Sequence, residues 1–242
     1  MEPFTPTIDQ INDNIYRIAT FIPEVGPTGF TFNQFLVVDD EPLLFHTGAR
    51  GMFPLVAEAV ATVTPVDSIR WISFGHVESD ECGSVNMWLA ASPKSEVVFN
   101  PLGCDVSLND MCDRPPRILA EDETLTTGAK RFRMIHTPHV PHGWEAQVLF
   151  EETTGTLFSG DVFSQLGAGP ALATDSIVAA AMEAEAIFHA SSLAPQTADT
   201  LRRLGDLNPS TLAVMHGSSF SGNAKQECYD LASAYEAFLV AT

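Results

Sequence analysis

The chain has 242 residues, of which 45% are hydrophobic and 18% are charged. This length can bury a substantial core, and we expect one domain over residues 1–242. Lys and Arg number 12 against 31 Asp and Glu, so the formal net charge is −19. Such an acidic surface repels nucleic acid and anionic lipid, and no apolar run approaches the roughly 18 residues of a membrane span. Nucleic acid and membrane are therefore excluded as partners.

The cysteines and the N-terminus both favour a cytoplasmic location. The four cysteines are scattered and include no C-x-x-C pair. The first residues, MEPFTPTIDQIND, are acidic and contain no positively charged segment leading into an apolar one. We therefore expect neither a disulfide framework nor a secretory signal.

In the first half of the chain, strands precede a mixture of helices and strands. Three early strands are predicted at NIYRIATFI, FTFNQFLVV and PLLFHTG, and the apolar spacing of MFPLVAEAVATV predicts a helix. RWISFGH is a further buried strand. ECGSVNMWLAA is predicted as a helix with Asp80 as its N-cap, followed by the strand EVVFN.

The second half repeats this order. RFRMIHT, EAQVLFEE and TLFSGDVF are predicted strands, followed by helices at 174–192 and 195–207. The strand STLAVMH and a helix from 224 to 240 complete the prediction. Two strand-rich halves, each followed by helices, indicate an α/β (α+β) fold in which two sheets pack face to face with helices outside.

The segment FGHVESDECG, residues 74–83, places four metal-ligand types directly after a buried strand. His76, Glu78 and Asp80 alternate, so an extended chain would put them on one face at steps of about 6.6 Å. Glu81 points elsewhere unless the chain turns at Asp80. Unpaired charges next to an apolar strand are costly, which indicates that something compensates these carboxylates.

Three more candidate ligands follow apolar strands, namely His142 in TPHVPHGW, Asp161 in LFSGDVF and His216 in LAVMHGSS. Taken singly, such an aspartate is usually a turn former or helix cap, and such a histidine is usually a loop residue with satisfied hydrogen bonds. Together with residues 76–81 they make three histidines and four carboxylates. This combination indicates a metal centre, for which the candidate ligands are His76, Glu78, Asp80, Glu81, His142, Asp161 and His216.

These motifs resemble the metallo-β-lactamase superfamily, whose signature is H-x-H-x-D-H followed by a later His, a bridging Asp and a final His. The match is nearer to the flavodiiron branch, which has H-x-E-x-D-H, and to the related oxygen-binding diiron proteins. His76-x-Glu78-x-Asp80-Glu81 stands at the signature, and the later motif positions fall on His142, Asp161 and His216.

The resemblance implies an αββα sandwich of two mixed sheets with a metal pair at one edge. One iron would take His76, Glu78 and His142, the other would take Asp80 and His216, and Asp161 would bridge them. The remaining ligand of the family, normally His, falls on Glu81. That residue is either a carboxylate ligand or a withdrawn side chain that leaves a coordination position open.

The ligand types favour two Fe ions, Fe2+ or Fe3+, with Zn or Mn as alternatives, because a glutamate in place of an imidazole makes the site harder and more anionic. We therefore expect a non-haem diiron protein that binds O2, and reduces or senses it, with NO or peroxide as related ligands. The alternative is a zinc-dependent hydrolase of the same superfamily, in which a metal-bound hydroxide attacks a thioester, lactam or phosphoester.

The expected partners follow from the resemblance. Flavodiiron proteins carry a flavodoxin-like domain after the sandwich, whereas we expect no flavodoxin or rubredoxin domain and no FMN on this chain. Electrons would then come from a separate donor protein, or the chain would address a signalling partner as an oxygen sensor. A homodimer is a further candidate assembly.

Two histidines are candidates for supporting roles outside the ligand set. His139, three residues before His142, is either a proton donor next to the ligands or an ordinary turn histidine between two prolines. His46 lies at a strand end where the wider superfamily often has Asp, and we expect it to hydrogen bond a ligand histidine.

Overall fold

The computed structural model describes residues 4–241, and within them fourteen strands form two seven-stranded sheets. The first sheet follows chain order: β1 Thr7–Asn12, β2 Ile15–Ile22, β3 Phe30–Val37, β4 Leu43–Phe45, β5 Trp71–Ser73, β6 Glu96–Phe99 and β7 Arg117–Ile118. Strands β1 to β4 pair antiparallel, and β4 to β7 pair parallel.

The second sheet is also mixed and does not follow chain order. Its strands are β8 Thr124–Thr126, β9 Arg131–His136, β10 Gln147–Glu151, β11 Thr156–Gly160, β12 Leu172–Ala173, β13 Thr211–Val214 and β14 Ser219–Ser221. Their spatial order is β12-β14-β13-β11-β10-β9-β8. Strands β11 and β13 are parallel neighbours, whereas β9, β10 and β11 form an antiparallel meander.

The helices lie between and after these strands. They are α1 Phe53–Ala61, α2 Ser79–Cys82, α3 Val85–Ala91, α4 Pro101–Gly103, α5 Asn109–Met111, α6 Val178–Phe188, α7 Thr197–Asp206 and α8 Ala224–Ala241. A π-helical turn, Cys104–Leu108, joins α4 to α5, and short 3-10 turns occupy Arg50–Met52 and Val66–Ser68. No helix in residues 4–241 is both long and apolar enough to cross a bilayer.

Three apolar clusters hold the layers together. The central cluster joins the inner faces of the two sheets, where Phe158 of β11 meets Phe35 and Phe45 of the first sheet. A second cluster packs α1 and α3 against the outer face of the first sheet. A third packs α6, α7 and α8 against the second sheet. The layers are therefore helix, sheet, sheet and helix, which is the metallo-β-lactamase sandwich and confirms the predicted fold class.

The longer predicted elements are confirmed, with ends that shift by a few residues. The helix predicted over 81–91 is in fact two helices, α2 and α3, and the N-cap of α2 is Glu78 rather than Asp80. The predicted capping role of Asp80 is therefore wrong, because the chain already turns before it. The short strands β1, β7, β8, β12 and β14 were not predicted.

The turn between β10 and β11 depends on one buried carboxylate. Glu151 accepts hydrogen bonds from the backbone N–H and the hydroxyl groups of both Thr153 and Thr154. Burial would raise the pKa of Glu151, but these donors outweigh burial and lower it below its ordinary value. The carboxylate thus fixes the hairpin that leads into β11.

We expect Glu151→Gln to lower the free energy of unfolding by about 1–3 kcal/mol, because glutamine has one acceptor oxygen where glutamate has two. Since the pKa is depressed in the folded state, this contribution is present above the unfolded pKa of about 4.5 and is lost as the pH falls below it. Urea unfolding at pH 7 and at pH 4 measures both effects. The control, Glu58→Gln on the exposed side of α1, should change stability little; equal effects of the two variants would contradict the account.

Candidate metal centre

Four chain segments that leave neighbouring strands converge on one edge of the sandwich. Strands β11 and β13 are parallel, so their carboxyl ends carry Asp161 and His216 to the same edge. Strand β9 runs in the same direction as β11 and leads into the loop of His142. The end of β5 in the other sheet supplies residues 76–80. Strand direction in the second sheet and the packing of the two sheets thus bring these imidazoles and carboxylates to one edge.

Three side chains form a first group around Glu78. The Oε2 atom of Glu78 lies 2.7 Å from His76 Nε2 and 3.1 Å from His142 Nε2. Asp161 Oδ2 completes the group at 3.9 Å from His76 Nε2 and 3.7 Å from His142 Nε2. One potential ligand atom from each of these four residues lies within 4.8 Å of the others, which is close enough for all four to share one cation.

A second group lies on the other side of Asp161. His216 Nε2 is 3.2 Å from Asp161 Oδ1 and 3.3 Å from Asp80 Oδ2. His216 Nδ1 donates to the carbonyl oxygen of Thr31 at 2.9 Å, which fixes the ring and leaves Nε2 free to act as a ligand. The ring of Phe30 stacks on His216 with centroids 4.1 Å apart and holds it from the opposite face.

The carboxylate of Asp161 connects the two groups, because Oδ2 faces the first and Oδ1 faces the second. Although Oδ1 is buried and close to His216, it makes no hydrogen bond of acceptable geometry. Buried carboxylate oxygens normally have a partner, and a cation between the two atoms would satisfy both. The donor set of imidazole nitrogens and carboxylate oxygens therefore fits two transition-metal ions that share Asp161.

The electrostatics of the side chains point the same way. Burial alone would lower the pKa of His76, but the negative charges of Glu81, Glu78 and Asp161 raise it to about 12. The pKa of His216 rises to about 10 despite burial because Asp161 and Asp80 face it. Hydrogen bonds from His142 and His76 hold the pKa of Glu78 far below its usual range. These shifts show that positive charge, from protons or from metal ions, stabilises the carboxylates of the site.

Glu81 does not face this group. Its side chain is fully buried, and its Oε2 atom accepts hydrogen bonds from the backbone N–H groups of Gly75 and His76, each at 2.7 Å. Its Oε1 atom lies 3.2 Å from His76 Nδ1. Of the two alternatives left open by the sequence, the geometry matches the withdrawn side chain. Glu81 is in a position to orient His76 by holding Nδ1 while Nε2 faces the cleft.

Two glycines make room for this buried carboxylate. A Cβ atom on Gly75 would lie 3.1 Å from both carboxylate oxygens of Glu81. A Cβ atom on Gly160, which has a φ of +54°, would lie 3.4 Å from Glu81 Oε1 and 3.5 Å from the Cα atom of Gly75. A side chain at Gly75 would therefore crowd the Glu81 carboxylate, whereas Gly160 is favoured chiefly by its positive φ.

His46 occupies different surroundings from those expected, whereas His139 lies in an exposed turn, as in one of its two alternatives. His46 is fully buried with a φ of +64°, and its Nε2 atom lies 3.4 Å from Glu81 Oε1 rather than next to a ligand histidine. Its Nδ1 atom lies 3.2 Å from the carbonyl oxygen of Asn33. His139 is exposed, its backbone N–H donates to Gly143, and it is not among the residues that line the cleft.

Five of the predicted ligands, Glu78, Asp80, His142, Asp161 and His216, line a cleft of about 380 Å³ with an apolar far wall. Phe30 and Phe32 flank His216, and Phe188 packs on Phe30 with ring centroids 5.2 Å apart. Val25, Pro141 and two alanines of α6 extend this wall. Ligands that reach the metal positions therefore pass along an apolar surface.

Sequence reasoning missed several residues around the cleft. The carboxylate of Glu145 accepts the backbone N–H of Val77 at 2.9 Å and so holds the ligand segment from the side opposite Glu81. Its place three residues after His142 was the available signal. The sequence placed Phe30 in a strand but gave no sign of its role at the site. No local pattern predicts that Phe30 stacks on His216, which lies 186 positions later.

A family model described as "ODP family beta lactamase" matches residues 30–217, which include all the predicted ligands. This match covers more than half of the chain. The chain belongs to the ODP beta-lactamase family. Among curated proteins, this family member resembles the rubredoxin-oxygen oxidoreductase of Megalodesulfovibrio gigas, with 25% identity over 211 residues. That alignment covers 82% of the chain and 51% of the relative.

Solved structures show the same fold at low sequence identity. The rubredoxin oxygen:oxidoreductase from Desulfovibrio gigas has a TM-score of 0.82 and 21% identity, over 94% of this chain and 62% of that one. A mutant of the flavo di-iron protein from Thermotoga maritima has a TM-score of 0.84 and 17% identity, over 96% and 62% of the two chains. The ODP-family chain thus spans about half to two thirds of the length of these relatives.

The position of Glu81 generates a test. In Glu81→Gln an NH2 group replaces one of the two carboxylate oxygens. The hydrogens of this NH2 group repel either the backbone N–H donors or the Nδ1–H of His76. We expect affinity for the cation held by His76 to fall about 10- to 100-fold, while saturating metal still gives two ions per chain. Competition titration with a coloured chelator measures the affinity, and metal analysis at saturation counts the ions.

Glu183→Gln makes the same chemical change on the exposed side of α6 and serves as the control. It should bind metal as the unchanged protein does. If Glu81→Gln held only one ion at saturation, Glu81 would be a ligand after all.

Proposed function

We propose that this chain binds dioxygen, or a related diatomic or peroxide, at a pair of irons bridged by Asp161. The observation that carries the proposal is the division of the Asp161 carboxylate between two ligand groups, with Oδ2 toward His76 and His142 and Oδ1 toward His216. His76, Glu78, His142 and Asp161 would hold one ion, and Asp80, His216 and Asp161 would hold the other.

Charge counting supports an additional ligand. With Glu81 turned away, three carboxylates, those of Glu78, Asp80 and Asp161, face two ferrous ions that together carry four positive charges. One net positive charge then remains for a bound ligand to balance. The second ion would also have fewer protein ligands than the first, which leaves space on the side that faces the cleft.

Neighbouring residues orient the ligands and form the wall of the cleft. Glu81 and the Thr31 carbonyl fix the rings of His76 and His216 through their Nδ1 atoms. Phe30, Phe32 and Phe188 form an apolar wall of the cleft, which suits an apolar diatomic such as dioxygen. Bound irons would supply the redox chemistry towards dioxygen, and the mixed imidazole and carboxylate set suits iron better than an imidazole-rich set would.

The comparisons support the choice of ligand class. The name of the Megalodesulfovibrio gigas relative pairs oxygen with rubredoxin. By analogy, repeated reduction of oxygen by this chain would require an electron donor protein, whereas binding or sensing would not. We favour binding and sensing for this chain, because the wall of the cleft that faces the candidate ligands is largely apolar.

The direct test is to purify the protein anaerobically, load it with ferrous iron and count the metal. We expect two irons per chain and, after air is admitted, a charge-transfer absorption band that decays slowly. Rapid consumption of oxygen only with an added reductant would indicate a reductase. Tight zinc binding with esterase or phosphoesterase activity would contradict the proposal and support the hydrolase.

The bridging position of Asp161 predicts that Asp161→Asn loses most of both irons at concentrations that saturate the unchanged protein. An amide is a weak ligand and cannot present two anionic oxygens to two ions. Metal analysis after gel filtration gives the ratio. Asp175→Asn, at an exposed position, should keep two irons; two irons in Asp161→Asn as well would rule out the bridge.

A further inference from the structure

Three hydroxyl groups line the cleft beyond the predicted ligands, those of Ser164, Ser191 and Tyr235. Each could donate a hydrogen bond to a molecule bound at the metal ions. Ser164 does not do so, because its hydroxyl donates to the backbone carbonyl of Asp161 at 2.7 Å. The other two belong to one hydrogen-bonded chain.

That chain runs from α8 to α6. The hydroxyl of Ser191 donates to Glu185 Oε2 at 2.7 Å, and the backbone N–H of Ser191 donates to the same oxygen at 3.1 Å. Tyr235 Oη lies 3.0 Å from Ser191 Oγ. Since Ser191 has one hydroxyl hydrogen and Glu185 accepts it, the hydrogen bond between Tyr235 and Ser191 must use the hydrogen of Tyr235.

We infer that Glu185 and Ser191 hold the Tyr235 hydroxyl hydrogen away from the cleft, so that a ligand at the metal ions receives no hydrogen bond from this wall. The inference rests on the proposed function. Tyr235, Ser191 and Glu185 all line the cleft, and Ser191 and Glu185 act as positioning residues for the Tyr235 hydroxyl. Burial raises the pKa of Tyr235 to about 12, so the group keeps its hydrogen at neutral pH.

The consequence concerns the fate of a bound ligand. Reduction of dioxygen or peroxide to water consumes protons, which must reach the ligand from a donor close by. One side of the cleft is apolar, and the hydroxyl hydrogens on the other side point away from it. Both features slow the transfer of protons to the ligand. The cleft therefore favours holding an unprotonated ligand over reducing it, which distinguishes a binding or sensing role from a reductase role.

The test uses azide, which accepts hydrogen bonds and donates none, as a probe of protein loaded with two ferric ions. The binding constant is measured by absorption titration for the unchanged protein, Tyr235→Phe, Ser191→Ala and the double variant. Tyr235→Phe should bind azide as the unchanged protein does. Ser191→Ala frees the Tyr235 hydroxyl to turn to the cleft and should bind azide about 2- to 13-fold more tightly, the value of one hydrogen bond.

The double variant should return to the affinity of the unchanged protein, because the freed hydroxyl is then absent. Weaker azide binding by Tyr235→Phe alone would overturn the inference, since Tyr235 would already donate to the ligand. Equal affinities of Ser191→Ala and the unchanged protein would also overturn it. The iron content is measured first, and fewer than two irons in the unchanged protein would count against the proposed function. The azide affinities of the variants then test only the hydroxyl chain.

Discussion

The carboxylate of Asp161 is the constraint on which the rest of this site depends. It lies between two clusters of imidazoles and carboxylates and gives one oxygen to each. Side chains of this kind are costly to bury unless positive charge compensates them, and the raised pKa values of His76 and His216 express that demand. The parallel pairing of β11 and β13 puts Asp161 and His216 at one edge. The topology of the second sheet thus contributes to the concentration of carboxylate charge that bound metal ions would neutralise.

A second carboxylate, that of the buried Glu81, orients the candidate ligand His76 without facing the candidate metal positions itself. Glu81 is one residue from a predicted ligand in sequence, yet it is directed into the space between the sheets, where Gly75 and Gly160 leave room for it. There it holds the backbone and ring of His76. One acidic cluster in the sequence is thus divided: Glu78 and Asp80 face the candidate metal positions, whereas Glu81 orients His76. In the proposed centre, the second ion would therefore have fewer protein ligands than the first.

Much of the fold and part of the site were predictable from the sequence. Buried strands such as β5 and β13 are short but lie in clear apolar segments, and the predicted ligands follow them because strand ends open at the sheet edge. The direction of Glu81 was not predictable, since it depends on a turn at Glu78 and on Gly160, 79 residues away in another sheet. Tyr235 was hidden for a similar reason, because only the packing of α8 on α6 brings it to Ser191 and the cleft. Short edge strands such as β7 and β12 lack enough residues to show a pattern.

The most direct test of the central claim is a crystal structure of the iron-loaded protein with anomalous diffraction measured at the iron absorption edge. We expect two peaks of similar height on either side of the Asp161 carboxylate, one against His76, Glu78 and His142 and the other against Asp80 and His216. A single peak, or a peak whose ligands include Glu81, would contradict it.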